Sequence, residues 1–367
     1  MIELPNYTGL DIRAFSKIFQ RQGLTNSYKL FFFKAILESC KKGDTIVTFE
    51  KLFDDMFNQA FPLVHIYKLT FGSLDLLERI IKDYPNHLEG DLKARSSFMS
   101  NIDDDTKSNI ISSYVIYRLL RPFYENFDFS PSDSIINKQL HQLINMDNNS
   151  LYYIDLNSKS IIINNNWISY INQHLKIIEE WYKYNLIVFL QSRNPSTPNI
   201  PFKVDSSLVS RNLTKETKIW QFAIDRNPII AYDIYLSQII DIKTTSEHGK
   251  MNLDHVIPFN FVMHNELWNL TPIHNKINSM KSNHLPHEQH ILEFSKLQYS
   301  FFKTVQTFYQ PKVNQSHPLE VYGYLNSTLS PKNFEIHEDE FTQILVNQLT
   351  SLKTIANNQG FSLWNNK

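Results

Sequence analysis

Asp254 and His255 stand side by side in Leu253-Asp254-His255-Val256-Ile257-Pro258, with Trp268-Asn269-Leu270, Asn278 and Lys281 following. A carboxylate and a side-chain amide carbonyl are hard oxygen donors of the kind that Mg²⁺ accepts while it keeps waters and phosphate oxygens in its shell. A neutral imidazole next to them is a general base at physiological pH without a large pKa shift. Hydrolysis of a phosphodiester needs an activated water, neutralised phosphate charge and a stabilised leaving oxygen, and one hard cation can meet the last two needs. On this reading Asp254 and Asn278 are metal ligands, His255 is the base, and Mg²⁺ is the cofactor with Mn²⁺ as its substitute.

These side chains need elements to hold them. Lys250 to Ile257 reads as a strand, and Thr271-Pro272 reads as a helix start with threonine as N-cap and proline at the first helical position. In that helix Ile273, Ile277 and Met280 form an apolar face, while His274, Asn278 and Lys281 share another, turned toward the strand. Neighbouring residues of a regular strand point to opposite faces. Asp254 and His255 therefore reach one substrate only where the strand loses its regularity, and Pro258 is compatible with an end there.

The rest of the chain is patterned as helix from Asp11 to about Phe127, with apolar faces at Leu30, Phe33, Ile36 and Leu37 and at Phe49, Leu52, Phe53 and Met56, separated by Gly43. A further helix starts at Asp103-Asp104-Asp105 and ends at Arg121-Pro122. Leu151 to Ile163 reads as a β-hairpin around Leu156-Asn157-Ser158-Lys159. A long helix is expected from Trp167 to Arg193, and the three prolines between 195 and 201 mark a boundary. Helices are also expected near Lys215–Asp225, from His287 to about Tyr309, and from Glu338 to Ala356. The predicted fold is mainly α with a small α+β insertion. Residues 1–200 form a helical regulatory or partner-binding region, 201–300 carry the insertion, and 301–367 form a C-terminal helical segment.

Among 367 residues, Lys and Arg number 36 and Asp and Glu 37, so the net charge is −1 and the basic surplus of an autonomous nucleic-acid binder is missing. Any phosphate-binding surface must be local or be supplied by a partner. The single cysteine, Cys40, excludes an intrachain disulfide and a four-cysteine zinc site. A reducing cytoplasm is the expected location. The run Leu186-Ile187-Val188-Phe189-Leu190 is far short of the ~20 residues that cross a bilayer, so no membrane association is expected.

The stretch from Asn252 to Pro286 resembles the HNH, or ββα-metal, endonuclease family, with Asp254-His255, Asn269 and Asn278 at its motif positions. It is similar above all to the HNH domain of RNA-guided CRISPR nucleases, through Asn278 and the run Lys281-Ser282-Asn283-His284-Leu285-Pro286. The resemblance implies that Asp254 and Asn278 bind the metal and His255 activates water. It also implies that Asn269 hydrogen-bonds backbone to position His255, and that Lys281 contacts DNA phosphate. His274 is read as a further phosphate contact. Many members bind a structural zinc through cysteine pairs, and here His274 and Ile277 stand where the second pair would be, so no structural zinc is expected. The remainder, including Thr25-Asn26-Ser27-Tyr28-Lys29 and Tyr117-Arg118-Leu119-Leu120-Arg121-Pro122-Phe123, resembles bacterial HNH endonuclease domain proteins with helical N-terminal regions.

The function expected is metal-dependent DNA hydrolysis in bacterial defence, by restriction or as an effector controlled by a partner. DNA is the expected partner, with a second protein or another copy of this chain at the N-terminal helical region. Two rivals stand beside it: a mobile-element or homing endonuclease, which the balanced charge disfavours, and an HNH module that binds without cutting. His284, His287 and His290 could be spaced metal ligands, but capping or solvated roles at a loop and helix start are the better reading. Phe31-Phe32-Phe33 and Tyr299-Phe301-Phe302 fall in helical apolar patterns and read as core.

Overall fold

The computed structural model describes residues 3–20, 23–88, 90–130, 132–242, 244 and 246–365. The chain is mainly α-helical with small sheets of two or three strands, and it divides into two compact units, residues 1–195 and 196–367. No helix of the described residues is long and apolar enough to cross a membrane.

In the first unit, helix α1 (Tyr28–Lys42) buries Phe31, Phe32 and Phe33, as their helical spacing predicts, and stops at Gly43, whose φ of 77° favours glycine. Strand β1 (Ile46–Thr48) leads into α2 (Phe49–Phe61), where Thr48 caps the helix by accepting from the Lys51 N–H. The acidic cluster at 103–105 opens α3 (Asp104–Ile110) as expected, with Asp103 as its cap. The hairpin predicted near 151–163 forms as β2 (Tyr152–Asp155) and β3 (Ser160–Ile163), and β1 joins it to make an antiparallel sheet of order β1-β3-β2. The long helix expected over 167–193 is two helices, α4 (Asn165–Gln173) and α5 (Leu175–Arg193), because His174 leaves the helical region with φ −114° and ψ 24°. Phe15, Phe19, Trp167 and Trp181 stack at the centre with ring separations of 4.9 to 5.5 Å.

The second unit is built on one apolar core that runs from Ile219 to Trp364. Helix α6 (Thr214–Ile224) sets Trp220 against Phe301 of α7 (Glu288–Phe308), with ring centroids 4.0 Å apart. Phe341, Leu345 and Leu349 of α8 (Glu338–Asn358) are fully buried in the same core. Residues 301–367 thus share a core with the segment that carries Asp254. Between α6 and α7 lie a hairpin of β4 (Tyr232–Asp233) and β5 (Gln238–Ile239), an antiparallel ribbon of β6 (Met251–His255) and β7 (Leu270–His274), and the short helix Asn275–Lys281.

The helix start expected at Thr271-Pro272 is not there. Leu270 to His274 is strand with every residue buried, and the helix begins at Asn275. Pro272 lies opposite Leu253 in a ribbon of two strands, where each strand has an outer edge that needs no N–H donor. Burial of Leu270 and Ile273 outweighs the capping preference of Thr-Pro. Ile273 consequently packs from the strand, Ile277 from the helix, and Met280, placed by the sequence on the apolar face, is 55% exposed.

Candidate active site

Strand β6 ends at His255, and the next residues are pinned by Asn269. Its side-chain oxygen accepts from the Ile257 N–H at 2.8 Å, its Nδ2 donates to the Ile257 carbonyl at 2.9 Å, and its own carbonyl accepts from the Val256 N–H at 2.8 Å. Asn269 is fully buried, so these bonds satisfy backbone groups that water does not reach. The turn that follows His255 is thereby held as the strand alternation gives out. Asp254 and His255 are both buried at the end of the strand.

The helix Asn275–Lys281 packs over this strand end. Its first N–H groups are met by a tight turn: Asn275 donates to Lys250 O at 2.9 Å and Lys276 to His248 O at 3.3 Å. Gly249 in that turn has φ +93°, and a Cβ there would stand 1.7 Å from Asn275 Oδ1, so only glycine fits without rearrangement. Asn278 is half-buried and its Nδ2 reaches toward Leu253 O at 3.5 Å, which brings the amide beside the strand bearing Asp254.

Lys281 and His274 meet placements different from the phosphate contacts read from the sequence. Lys281 is fully buried; its Nζ donates to Asp254 Oδ2 at 2.7 Å and to His255 O at 2.9 Å. A cation in that position fixes the carboxylate and the strand end from inside. His274 is the last residue of β7 and is 2% exposed, with its N–H and its ring Nδ1 on Asp233 Oδ2 at 2.9 and 2.7 Å. Its ring is spent on a buried carboxylate, which leaves it neither on the helix face expected nor at the surface.

The environment of His255 keeps the ring neutral but also lowers its basicity, a larger shift than the sequence implied. Burial pushes its pKa down to about 4, against the opposing pull of Asp254, so the ring is neutral at physiological pH. Nε2 lies 3.1 Å from Asn265 Oδ1, and among the described residues Nδ1 has no hydrogen-bond partner. Asn265 is a functional candidate that the sequence reading missed; its one signal is an amide between the apolar residues Phe261 and Leu267. Among the described residues the three spaced histidines form no metal-binding group: His284 Nδ1 meets Lys281 O at 2.7 Å, His287 Nε2 meets Trp364 O at 2.9 Å, and the His290 ring lies 6.1 Å from that of His287.

The donor set fits a hard divalent cation. Asp254 Oδ1 and the Asn278 side-chain oxygen accept no hydrogen bond among the described residues, while Lys281 occupies the other carboxylate oxygen. Among the described residues no group of three or more His, Cys, Asp and Glu side chains is arranged around one point. One carboxylate and one amide oxygen, completed by water and substrate, are the shell that Mg²⁺ characteristically takes.

Residues 233–287 match the sequence model of a family described as HNH endonuclease. No curated protein and no solved structure gives a significant match to the chain. The matched segment runs from Asp233, the partner of His274, through Asp254 and His255 and the helix that bears Asn278 and Lys281, to His287. Through residues 233–287 the chain is recognised as carrying a domain of the HNH endonuclease family.

Proposed function

We propose that this protein is a metal-dependent endonuclease that hydrolyses DNA phosphodiester bonds, with His255 as general base and Asp254 and Asn278 as the ligands of Mg²⁺ or Mn²⁺. The observation that carries the reading is the meeting of three groups at the end of β6: a neutral imidazole, a carboxylate with one oxygen open, and an amide oxygen with no donor. His255 Nδ1 takes a proton from water as the water oxygen bonds to phosphorus and the P–O bond to the departing strand breaks. Asn269 keeps the turn after His255 in place, and Lys281 keeps Asp254 aimed. A bound cation supplies charge neutralisation on the phosphate and on the departing oxygen.

The biological use we assign is defence against foreign DNA, by restriction or as an effector restrained by a partner. Support comes from the near-neutral charge of the chain and from a helical unit of residues 1–195 without a chemical motif. A free nuclease of low selectivity would endanger its own cell.

The test is cleavage of supercoiled plasmid by the full chain in Mg²⁺, Mn²⁺ and EDTA, together with Asp254→Ala and Asn278→Ala. Cleavage that EDTA abolishes, and that needs more metal in both variants, supports the assignment. DNA binding without cleavage in any divalent cation means a binding module, and unchanged Mn²⁺ affinity of both variants by calorimetry moves the metal site elsewhere.

A further inference from the structure

We propose that Asn265 is a positioning residue that fixes the tautomer of His255 and so makes Nδ1 the basic nitrogen; the inference rests on the hydrolytic reading above. A neutral imidazole has one donor and one acceptor nitrogen, and only the acceptor can take a proton from water. Which nitrogen that is depends on the partner of the other.

The orientation of the Asn265 amide follows from what surrounds it. Its Nδ2 faces two backbone carbonyls, Ser210 O at 2.8 Å and Asn212 O at 3.3 Å. Carbonyls only accept, so the NH₂ end must point at them and the oxygen must point at His255. Oδ1 lies 3.1 Å from His255 Nε2, and it too can only accept. Nε2 therefore carries the hydrogen, and the lone pair is left on Nδ1. When Nδ1 takes the proton from the attacking water, the imidazolium keeps its Nε2–H on Asn265, so no proton needs to move between the ring nitrogens.

The two carbonyls stand on a firm base. Asn212 Oδ1 accepts from the Thr214 N–H at 2.9 Å and from the Thr214 hydroxyl at 2.6 Å, which ties residues 210–212 to the start of α6. That helix is anchored in the core by Trp220 against Phe301. A relay of fixed groups thus runs from α6 through Asn212 and Asn265 to the His255 ring.

The experiment uses the full chain with ¹⁵N-labelled histidine. The ring nitrogens of His255, identified by their loss in His255→Ala, report the tautomer by their ¹⁵N shifts and long-range proton couplings, whether or not the protein cuts DNA. Wild type is expected to hold the Nε2–H tautomer. Asn265→Ala is expected to give mixed tautomers and to lower kcat on supercoiled plasmid in Mn²⁺ about 10–100-fold with KM unchanged, the usual effect of removing the group that orients a functional imidazole. Asn265→Asp keeps an oxygen toward Nε2 but loses the anchoring donors, so it is expected to melt earlier while retaining the tautomer and most of kcat. A merely structural role would make the two variants fail together. A proton on Nδ1 in wild type, or an Asn265→Ala protein with unchanged tautomer and kcat, overturns the proposal. A wild type that cuts nothing while holding the Nε2–H tautomer removes the nuclease reading and leaves the geometry of Asn265 standing.

Discussion

A single oxygen, Asp233 Oδ2, accepts both the backbone N–H and the ring Nδ1 of His274, at 2.9 and 2.7 Å, with both residues out of solvent. Its companion Oδ1 accepts from the N–H groups of Tyr235 and Leu236 at 3.0 and 3.3 Å. One carboxylate therefore joins the β4–β5 hairpin to the junction between β7 and the helix that carries Asn278. Buried donors left without a partner cost free energy even where the bond itself contributes little net stability.

Asp233→Ala is expected to destabilise residues 196–367 by about 3 kcal/mol or more, since several buried donors lose their acceptor at once. Chemical denaturation followed by tryptophan fluorescence reads this directly. A midpoint within error of wild type would mean that water or rearrangement replaces the carboxylate without loss.

Lys281→Met removes one partner of a buried ion pair and leaves the Asp254 carboxylate without its cation. Breaking such a pair typically costs about 3–5 kcal/mol. The variant is expected to melt earlier in EDTA and to recover more stability on addition of Mn²⁺ than wild type does, because the metal then offsets an uncompensated charge. Equal Mn²⁺ shifts in the two proteins would separate Lys281 from the metal site.

His255→Ala is expected to cut plasmid about 10²–10⁴-fold more slowly, the usual range for loss of a general base, while retaining the fold and Mn²⁺ binding. Single-turnover cleavage with calorimetry on the same sample checks both halves. Near-wild-type cleavage by the folded variant assigns the base to another group.

Acid sensitivity should have one source in the first unit. Burial holds the His65 pKa down to about 4, its Nε2 has no hydrogen-bond partner, and its ring stacks on Phe61 at 4.7 Å. The unfolded chain binds a proton near pH 6.5 and the folded one only near 4, so this contribution to stability is complete above 6.5 and is lost as the pH falls toward 4. His65→Phe is expected to lose less melting temperature than wild type between pH 7.5 and 4.5. Parallel losses in the two proteins would place the acid sensitivity elsewhere.

The candidate site is legible in the sequence where chemistry and spacing coincide. Asp254, His255, Asn269 and Asn278 are uncommon together at those intervals, and Pro258 hints at the end of the strand. What escaped depended on tertiary context. Thr271-Pro272 carries the marks of a helix start, yet an outer ribbon edge tolerates proline equally well, and only the core decides between them. Lys281 reads as a surface cation because lysine is seldom fully buried, and its burial follows from a carboxylate that arrives from another element. Asn265 has no periodicity to betray it, since its role arises from carbonyls more than fifty residues earlier. Strand β1 is three residues long and gains its identity by pairing with β3 far along the chain.

Leu285, just beyond the helix that bears Asn278, pairs with residues nearly eighty positions later: its N–H donates to Ser362 O at 2.8 Å, and its carbonyl accepts from the Trp364 N–H at 2.9 Å. Chains emerge from the ribosome in order, and contacts of long sequence separation form only after both partners are out. The nuclease segment is translated well before residues 361–364, yet it cannot be clasped until they are released. A chain that stops before residue 361 would hold Asp254, His255, Asn269 and Asn278 and still lack this clasp. The order of synthesis thus delays this pairing until residues 361–364 have been made.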